Sequence, residues 1–212
     1  MARRRRVPGP LDPRSLNRLL QASVLAVLLA GLWTANVSVV VNATLGFLVT
    51  LLPALVERDL GVPLPPLHAV LISGTVLLHA AGLLGPYHAV WWWDHVTHLL
   101  AAGLVAASAY VVVAVLDERI EALYLPTPVL VVVTVLATVA AGVAWEVLEF
   151  VARLVARRLG QEPVLVQYGL EDTMKDLLFD TAGGVLVAGL RAERLRSYAR
   201  GLAARTRTMR ES

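Results

Sequence analysis

Residues 93–116 read WDHVTHLLAAGLVAASAYVVVAVL, and this stretch decides the fold class. From Leu99 to Leu116 it contains no charged residue, and about 20 apolar residues in a row are what a helix needs to cross a bilayer. The same stretch opens on Asp94 and His98, which are four residues apart and therefore share one helix face. It predicts a transmembrane helix with a polar group at one end.

The composition extends this prediction to the whole chain. Of the 212 residues 57% are hydrophobic and only 17% are charged, and the mean hydropathy is +0.67. Soluble domains carry about 25% charged residues. The apolar residues lie in long runs, which predicts an all-α, polytopic transmembrane helical bundle of about six spans. Cysteine is absent, which excludes thiol catalysis, thiolate metal sites and disulfides.

Proline, glycine and charged breaks delimit the spans. Arg3 to Arg6 before an apolar stretch are also typical of a signal peptide, but further apolar runs follow, so an uncleaved signal anchor is favoured. The sequence thus divides into a basic cytoplasmic N-terminal segment (1–18), a six-span transmembrane domain (19–190) and an Arg-rich cytoplasmic tail (191–212). The predicted spans are about 19–33, 37–56, 67–84, 93–116, 126–150 and 172–190, with a connecting segment at 153–171.

Positive charge predicts the orientation. With six spans and a cytoplasmic N-terminus, 15 of the 19 Lys and Arg residues lie on the inner side, and Arg153, Arg157, Arg158 and Lys175 lie outside. Cytoplasmic loops are enriched in Lys and Arg. We therefore expect a multi-pass protein of the cell (inner) membrane with both termini in the cytoplasm. The partner is the lipid bilayer; nucleic-acid binding is not indicated.

Acidic residues and a histidine recur on three predicted spans at helical spacing. In this topology all of them lie near the outer leaflet, with Asp180 about 12 Å deeper than Asp172. A charge inside a bilayer costs about 2.5–3.5 kcal/mol on insertion scales, so such groups usually face the protein interior and indicate function. The set is Asp94 and His98, then Glu146 and Glu149, then Asp172, Asp176 and Asp180.

Carboxylates and imidazole that converge inside a helix bundle form oxygen- and nitrogen-ligand metal sites. We assign Asp94, His98, Asp172, Asp176 and Asp180 as ligands of a divalent metal (Mg²⁺, Mn²⁺ or Zn²⁺). In this interpretation Glu146 and Glu149 are the catalytic residues, and one of them is a general base. With protons in place of the metal, the same groups would form a proton or cation relay.

Structural roles are an alternative for individual members of the set. Asp94 and Asp172 suit the N-caps of their helices, Glu149 suits an ion pair with Arg153, and Lys175 suits a counter-ion for Glu146 or Asp180. His95 is expected on a different, solvated face. His79 is expected either to reach the site or to form a hydrogen bond with a neighbouring helix.

The ordered motifs also carry a family resemblance over about residues 88–190. The chain resembles the YjdF-like polytopic inner-membrane proteins and, more distantly, the VanZ-like proteins. The resemblance implies a polytopic membrane fold and supports the seven site residues as the family's polar positions, without implying a particular reaction. The motifs are Asp94-x-x-x-His98, then Trp145-Glu146-x-x-Glu149-Phe150, then Asp172-Thr173-x-x-Asp176-x-x-x-Asp180-x-x-Gly183-Gly184.

Three functions are compatible with this pattern. The leading hypothesis is a metal-dependent membrane hydrolase or transferase that acts on a lipid-linked or envelope substrate. The second is a proton- or cation-coupled transporter, with an ion as the ligand. The third is a non-enzymatic membrane protein in which the cluster is a structural polar or metal staple.

Overall fold

The protein is an all-helical bundle. The computed structural model describes residues 12–62, 64–165 and 167–211, and no strand occurs within these ranges. The helices are α1 (Pro13–Trp33), α2 (Val37–Leu60), α3 (Pro66–Gly82), α4 (Pro86–Ala89), α5 (Trp93–Arg119), α6 (Thr127–Leu159), α7 (Leu170–Leu190) and α8 (Ala192–Glu211).

Four helices, α1, α2, α5 and α6, are long and apolar enough to cross a membrane. Helix α3 is apolar but has 17 residues, about 26 Å of helix. Helix α7 has 21 residues but is more charged than the other spans, since it carries Asp172, Lys175, Asp176 and Asp180. With α3 and α7, the bundle has the six predicted spans.

The helices form two groups. Helices α1, α2 and α3 pack against one another, α5, α6 and α7 do the same, and α3 joins the groups by packing against α5. The closest packing is between α5 and α7, where a Cβ at Gly183 would collide with the backbone carbonyl of Leu99. Small residues allow such close approach in membrane proteins. Gly183 thus lies where α5 and α7 pack most closely, and Gly184 beside it lies against Thr138 of α6.

The end of α6 differs from the predicted span. Helix α6 does not end near Phe150 but continues to Leu159, and it ends at Gly160 in the left-handed conformation (φ 64°). Such a glycine is a common helix stop. The arginines at 153, 157 and 158 fell in the predicted connecting segment, yet they belong to the last turns of this helix.

The tail beyond residue 190 forms a helix that packs against α5. Arg196 Nη2 lies 2.8 Å from Asp117 Oδ2 at the end of α5. Its other amino group donates to the carbonyl of Leu125 and to the hydroxyl of Thr127, at 3.1 Å each. Asp117 in turn accepts from the Leu125 backbone N–H at 2.7 Å. This network connects α8 to the α5–α6 loop.

Candidate metal and acid–base site

Three polar side chains meet where α5 and α7 begin. One ligand atom from each of Asp94, His98 and Asp176 lies within 4.8 Å of the others. Asp176 is almost fully buried, and Asp94 and His98 are partly buried. Residues 82 positions apart in the sequence are thus brought together, as the shared depth of the polar faces predicted.

His98 lies between two carboxylates. Its Nδ1 is 3.2 Å from Asp180 Oδ1 on α7, and its Nε2 is 3.7 Å from Asp94 Oδ1 on its own helix. A histidine that binds a metal almost always donates its other ring N–H to a carboxylate or carbonyl. The shorter contact places Asp180 in that orienting position and leaves Nε2 facing Asp94.

A glycine on α6 makes room for the Asp180 carboxylate. A Cβ at Gly142 would collide with Asp180 Oδ2. Gly142 lies one turn before Glu146 on the buried face of α6. The buried face of α6 therefore contacts the Asp180 carboxylate at Gly142 and supplies the Glu146 carboxylate one turn later.

Glu146 is buried, and only one of its oxygens has a partner. Its Oε2 accepts from the hydroxyl of Thr173 at 2.7 Å, and that hydroxyl accepts from Gln167 Nε2 at 2.8 Å. Its Oε1 is buried without a hydrogen bond, and so is Oδ1 of Asp176. A buried polar atom without a partner costs about 1–3 kcal/mol. Two such oxygens in one cluster of carboxylates indicate that the cluster would take up a cation or protons.

Glu149 lies on the edge of the cluster. It is buried, and its Oε1 accepts from the indole N–H of Trp145 at 3.0 Å. The contact expected from Arg153 is absent from the described hydrogen bonds and ion pairs: the guanidinium donates to the Gln167 carbonyl at 3.3 Å. Trp145, not Arg153, therefore supplies the hydrogen bond to this carboxylate.

Asp172 is not part of the group of three. It lies in the first turn of α7, and its Oδ2 accepts from the backbone N–H of Tyr168 at 3.0 Å. The residue at the N-cap itself is Gly169. Asp94 is not a cap either, because Trp92 holds that position in α5. The N-cap alternative is therefore wrong for both residues, and Asp172 instead holds the preceding loop through the Tyr168 N–H.

Two expectations about neighbouring residues are wrong. His95 is not solvated: its side chain is 13% exposed, its ring stacks on Phe179 with centroids 4.6 Å apart, and its Nδ1 is 3.6 Å from Asp176 Oδ1. The close contact of α5 with α7 buries this second face of α5. Lys175 does not pair with Glu146 or Asp180, because its ammonium group binds the exposed Glu171 at 2.7 Å.

His79 of α3 forms hydrogen bonds to neighbouring segments. The amide nitrogen of Asn42 donates to the carbonyls of Ser38 and Val164, at 2.9 Å each. The amide oxygen, Oδ1, therefore faces His79 Nε2, at 3.3 Å. The imidazole Nε2 therefore carries the proton, and Nδ1 accepts from the Tyr87 hydroxyl at 2.8 Å. Burial raises the pKa of the Tyr87 phenol, which keeps this donor protonated at neutral pH.

This network holds the α6–α7 loop against α2, beside the acidic cluster. Sequence reasoning missed Tyr87, Asn42, Thr173, Gln167 and Gly142. Thr173 had a usable signal, because it adjoins Asp172 and lies three residues before Asp176. Asn42 and Gly142 had none, since their partners Val164 and Asp180 come from distant segments.

The side chains present fit a divalent cation. The group of three supplies two carboxylates and one imidazole, a donor set that suits Mn²⁺ or Zn²⁺ more than Ca²⁺. Asp180 supports the imidazole, and the buried Asp176 Oδ1 has no hydrogen bond that a metal would have to displace.

Comparison with known proteins assigns the family. Residues 16–197 match the model of a family described as predicted membrane protein (DUF2238). No curated protein and no solved structure gives a significant match. The match extends over most of the chain and includes every residue of the acidic cluster. The protein therefore belongs to the DUF2238 family of predicted membrane proteins.

Proposed function

We propose that the protein is a metal-dependent membrane enzyme that hydrolyses or transfers a lipid-linked or envelope substrate. The observation that carries the proposal is the arrangement of Asp94, His98 and Asp176 within 4.8 Å, with Asp180 on the second imidazole nitrogen. A ligand triad with an orienting carboxylate is the arrangement of catalytic metal sites, in which three protein ligands leave a position open.

Each residue of the site has a separate role in this reaction. Asp94, His98 and Asp176 would hold the ion, and Asp180 orients the imidazole through Nδ1. A divalent ion held there would supply a Lewis acid and make a water easier to deprotonate. Glu146 takes the proton from the attacking water through its unpartnered Oε1, and Thr173 holds the other oxygen of the same carboxylate. The water oxygen bonds to the phosphorus or carbonyl carbon of the substrate, the bond to the leaving oxygen breaks, and the proton passes to that oxygen.

Glu149 has a supporting part in this scheme. The Trp145 indole donates to one of its oxygens at 3.0 Å, which holds this carboxylate at the edge of the cluster one turn from Glu146.

The topology that we propose places this site at the outer leaflet of the inner membrane, with both termini in the cytoplasm. The aromatic residues around the site support a position at the membrane interface. Trp91 is 82% exposed and Tyr168 is 45% exposed. Tryptophan and tyrosine are enriched at that level. A substrate with a polar head and an apolar tail would meet the site there.

The packing beyond the cluster favours an enzyme over a transporter. Between the cluster and the Asp117–Arg196 ion pair at the other end of α5, the buried residues of α5, α6 and α7 carry no carboxylate, imidazole or amine within the described part of the chain. Titratable groups that continued across the bundle would be expected for a proton or cation pathway. The buried residues there are Ala102, Ala106, Tyr110, Ala114, Leu130, Thr134, Thr138, Gly183, Gly184 and Ala188.

Metal analysis of purified protein tests the proposal. Wild type is expected to hold about one divalent ion per chain, and Asp176→Asn is expected to lose it. Glu171→Gln is the matched control, because it removes one acidic charge from the same helix at an exposed position.

Glu146→Gln is expected to retain the metal and lose hydrolysis of phosphate- and ester-linked lipids. Metal-free protein that carries a pH-dependent ion flux into liposomes would overturn the proposal in favour of transport. Metal retention without any such hydrolysis would favour the structural staple.

A further inference from the structure

A cavity lies at the other end of the bundle, away from the acidic cluster. It has a volume of about 830 Å³ and is bounded by the start of α1, the end of α2, the start of α3 and α8. Small-molecule sites are typically about 300–1,000 Å³. Nothing in the proposed reaction uses this cavity.

One face of α1 supplies the polar wall of the cavity. Arg14, Asn17, Arg18 and Gln21 recur at helical spacing and all four line the cavity. The two amides are engaged with neighbouring helices: Asn17 accepts from Ser73 of α3 at 2.7 Å, and Gln21 donates to the Thr50 carbonyl of α2 at 3.2 Å. These bonds hold the face of α1 against the cavity.

The two arginines are exposed and have no carboxylate within 4.0 Å among the residues that the structure describes. Arg205 of α8 also lines the cavity, and Glu57 is the single acidic residue of the lining. The cavity therefore carries an excess of positive charge at its rim.

The remaining walls are mostly apolar. His68 stacks on Tyr198 with centroids 6.4 Å apart, so the wall that α8 contributes is packed against α3. A ligand that fits both surfaces has an anionic head and an apolar body. The apolar lining residues include Leu51, Pro53, Ala54, Leu64, Ala69 and Leu202.

We infer that this cavity is a binding site for an anionic phospholipid of the surrounding membrane. The phosphate lies between Arg14 and Arg18, and the glycerol and upper acyl chains lie along the apolar wall. Juxtamembrane Lys and Arg residues attract anionic lipids, and basic pockets between membrane helices bind their head groups. The site depends on the charge and shape of this end of the bundle, not on the proposed metal chemistry.

Native mass spectrometry of the full chain in detergent, titrated with phosphatidylglycerol, tests the inference. Arg14→Gln/Arg18→Gln is expected to lower the affinity at least about tenfold, since each basic residue near an anionic lipid contributes about fivefold. The matched control is Arg157→Gln/Arg158→Gln, which removes the same charge from exposed positions of α6. This control is expected to bind phosphatidylglycerol as the wild type does.

Two further comparisons test the cavity itself. Ala54→Trp fills the apolar wall at an exposed position without a change of charge, and it should also lower the affinity at least about tenfold. Phosphatidylcholine should bind at least about tenfold more weakly than phosphatidylglycerol. The inference would be overturned if both double arginine variants lost the same affinity for phosphatidylglycerol, if Ala54→Trp bound it as the wild type does, or if the two lipids bound equally. Displacement of the lipid by glycerol phosphate at equal concentration would overturn it in favour of a soluble anion.

Discussion

His98 on α5 and Asp180 on α7 are 82 residues apart in the sequence, and 3.2 Å separates Nδ1 of one from Oδ1 of the other. The contact joins the two most closely packed helices of the bundle and determines which imidazole nitrogen faces Asp94. The proposed division between metal ligands and orienting residue rests on it, so the first prediction concerns Asp180.

Asp180 should tune metal affinity without being a ligand. Asp180→Asn keeps an acceptor for the His98 N–H but loses the charge, and we expect about tenfold weaker binding. Asp180→Val removes both the acceptor and the charge, and metal affinity should fall about 100-fold, the upper range for such supporting residues. Calorimetric titration with Mn²⁺ or Zn²⁺ measures both variants. If Asp180→Asn abolishes binding as completely as Asp176→Asn, Asp180 is itself a ligand, as the sequence predicted.

Gly142 should be required for the position of the Asp180 carboxylate. The added methyl group of Gly142→Ala would collide with that carboxylate. We expect a loss of about 1–3 kcal/mol in unfolding free energy, typical of overpacking, together with weaker metal binding. Denaturation in detergent micelles measures the first effect. Gly189→Ala is the control, because nothing lies within 4 Å of the new methyl group. Equal stability of the two variants would contradict the close contact.

Thr173 should hold the proposed general base. Thr173→Val keeps the shape of the side chain and removes the donor to Glu146 Oε2, which leaves a second buried oxygen of that carboxylate without a partner. The expected cost is about 1–3 kcal/mol in unfolding free energy, with turnover reduced more than metal content. Thr173→Ser restores the hydroxyl and should recover both. A Thr173→Val protein with wild-type turnover would remove Thr173 from the site.

Metal affinity should fall as the pH is lowered. Asp94, Asp176 and His98 coordinate only after losing their protons, so protons compete with the ion. Each ligand that must release a proton contributes about a tenfold loss per pH unit. Titrations between pH 8 and pH 5.5 measure this slope, with Glu171→Gln expected to follow the wild type. A flat profile would exclude these residues as ligands.

Arg196 should anchor α8. Asp117 is almost fully buried in the network that joins α8 to the α5–α6 loop, and Arg196→Gln would leave its charge without a counter-ion. Loss of one partner of a buried ion pair costs about 3 kcal/mol or more. Protease sensitivity of α8 and the thermal midpoint in detergent both report the change. The double variant Asp117→Asn/Arg196→Gln should recover part of the loss, and the exposed Arg194→Gln should have little effect.

The helices and the shared depth of the acidic residues could be predicted because each depends on local properties. Apolar runs indicate the spans, and Asp94, Glu146 and Asp176 fall at corresponding positions once the spans alternate in direction. The end of α6 was missed because its arginines were taken as a loop signal, whereas helical spacing continues to the glycine stop.

Side-chain contacts account for the other differences between the predicted and the observed surroundings of individual residues. His95 was expected in solvent because it does not share a face with Asp94 and His98. The glycine contact between α5 and α7 brings the helices so close that α7 covers both faces. Lys175 lies near carboxylates in the sequence, yet its exposed side chain binds Glu171 one turn away.

The sequence by itself determined that this is a membrane bundle with acidic residues on three helices, because hydropathy and helical spacing are local properties. Only the tertiary structure decided which of those residues meet. Interhelical distances depend on small residues such as Gly142 and Gly183, because a methyl group at Gly142 would collide with the Asp180 carboxylate and one at Gly183 would collide with the backbone of α5.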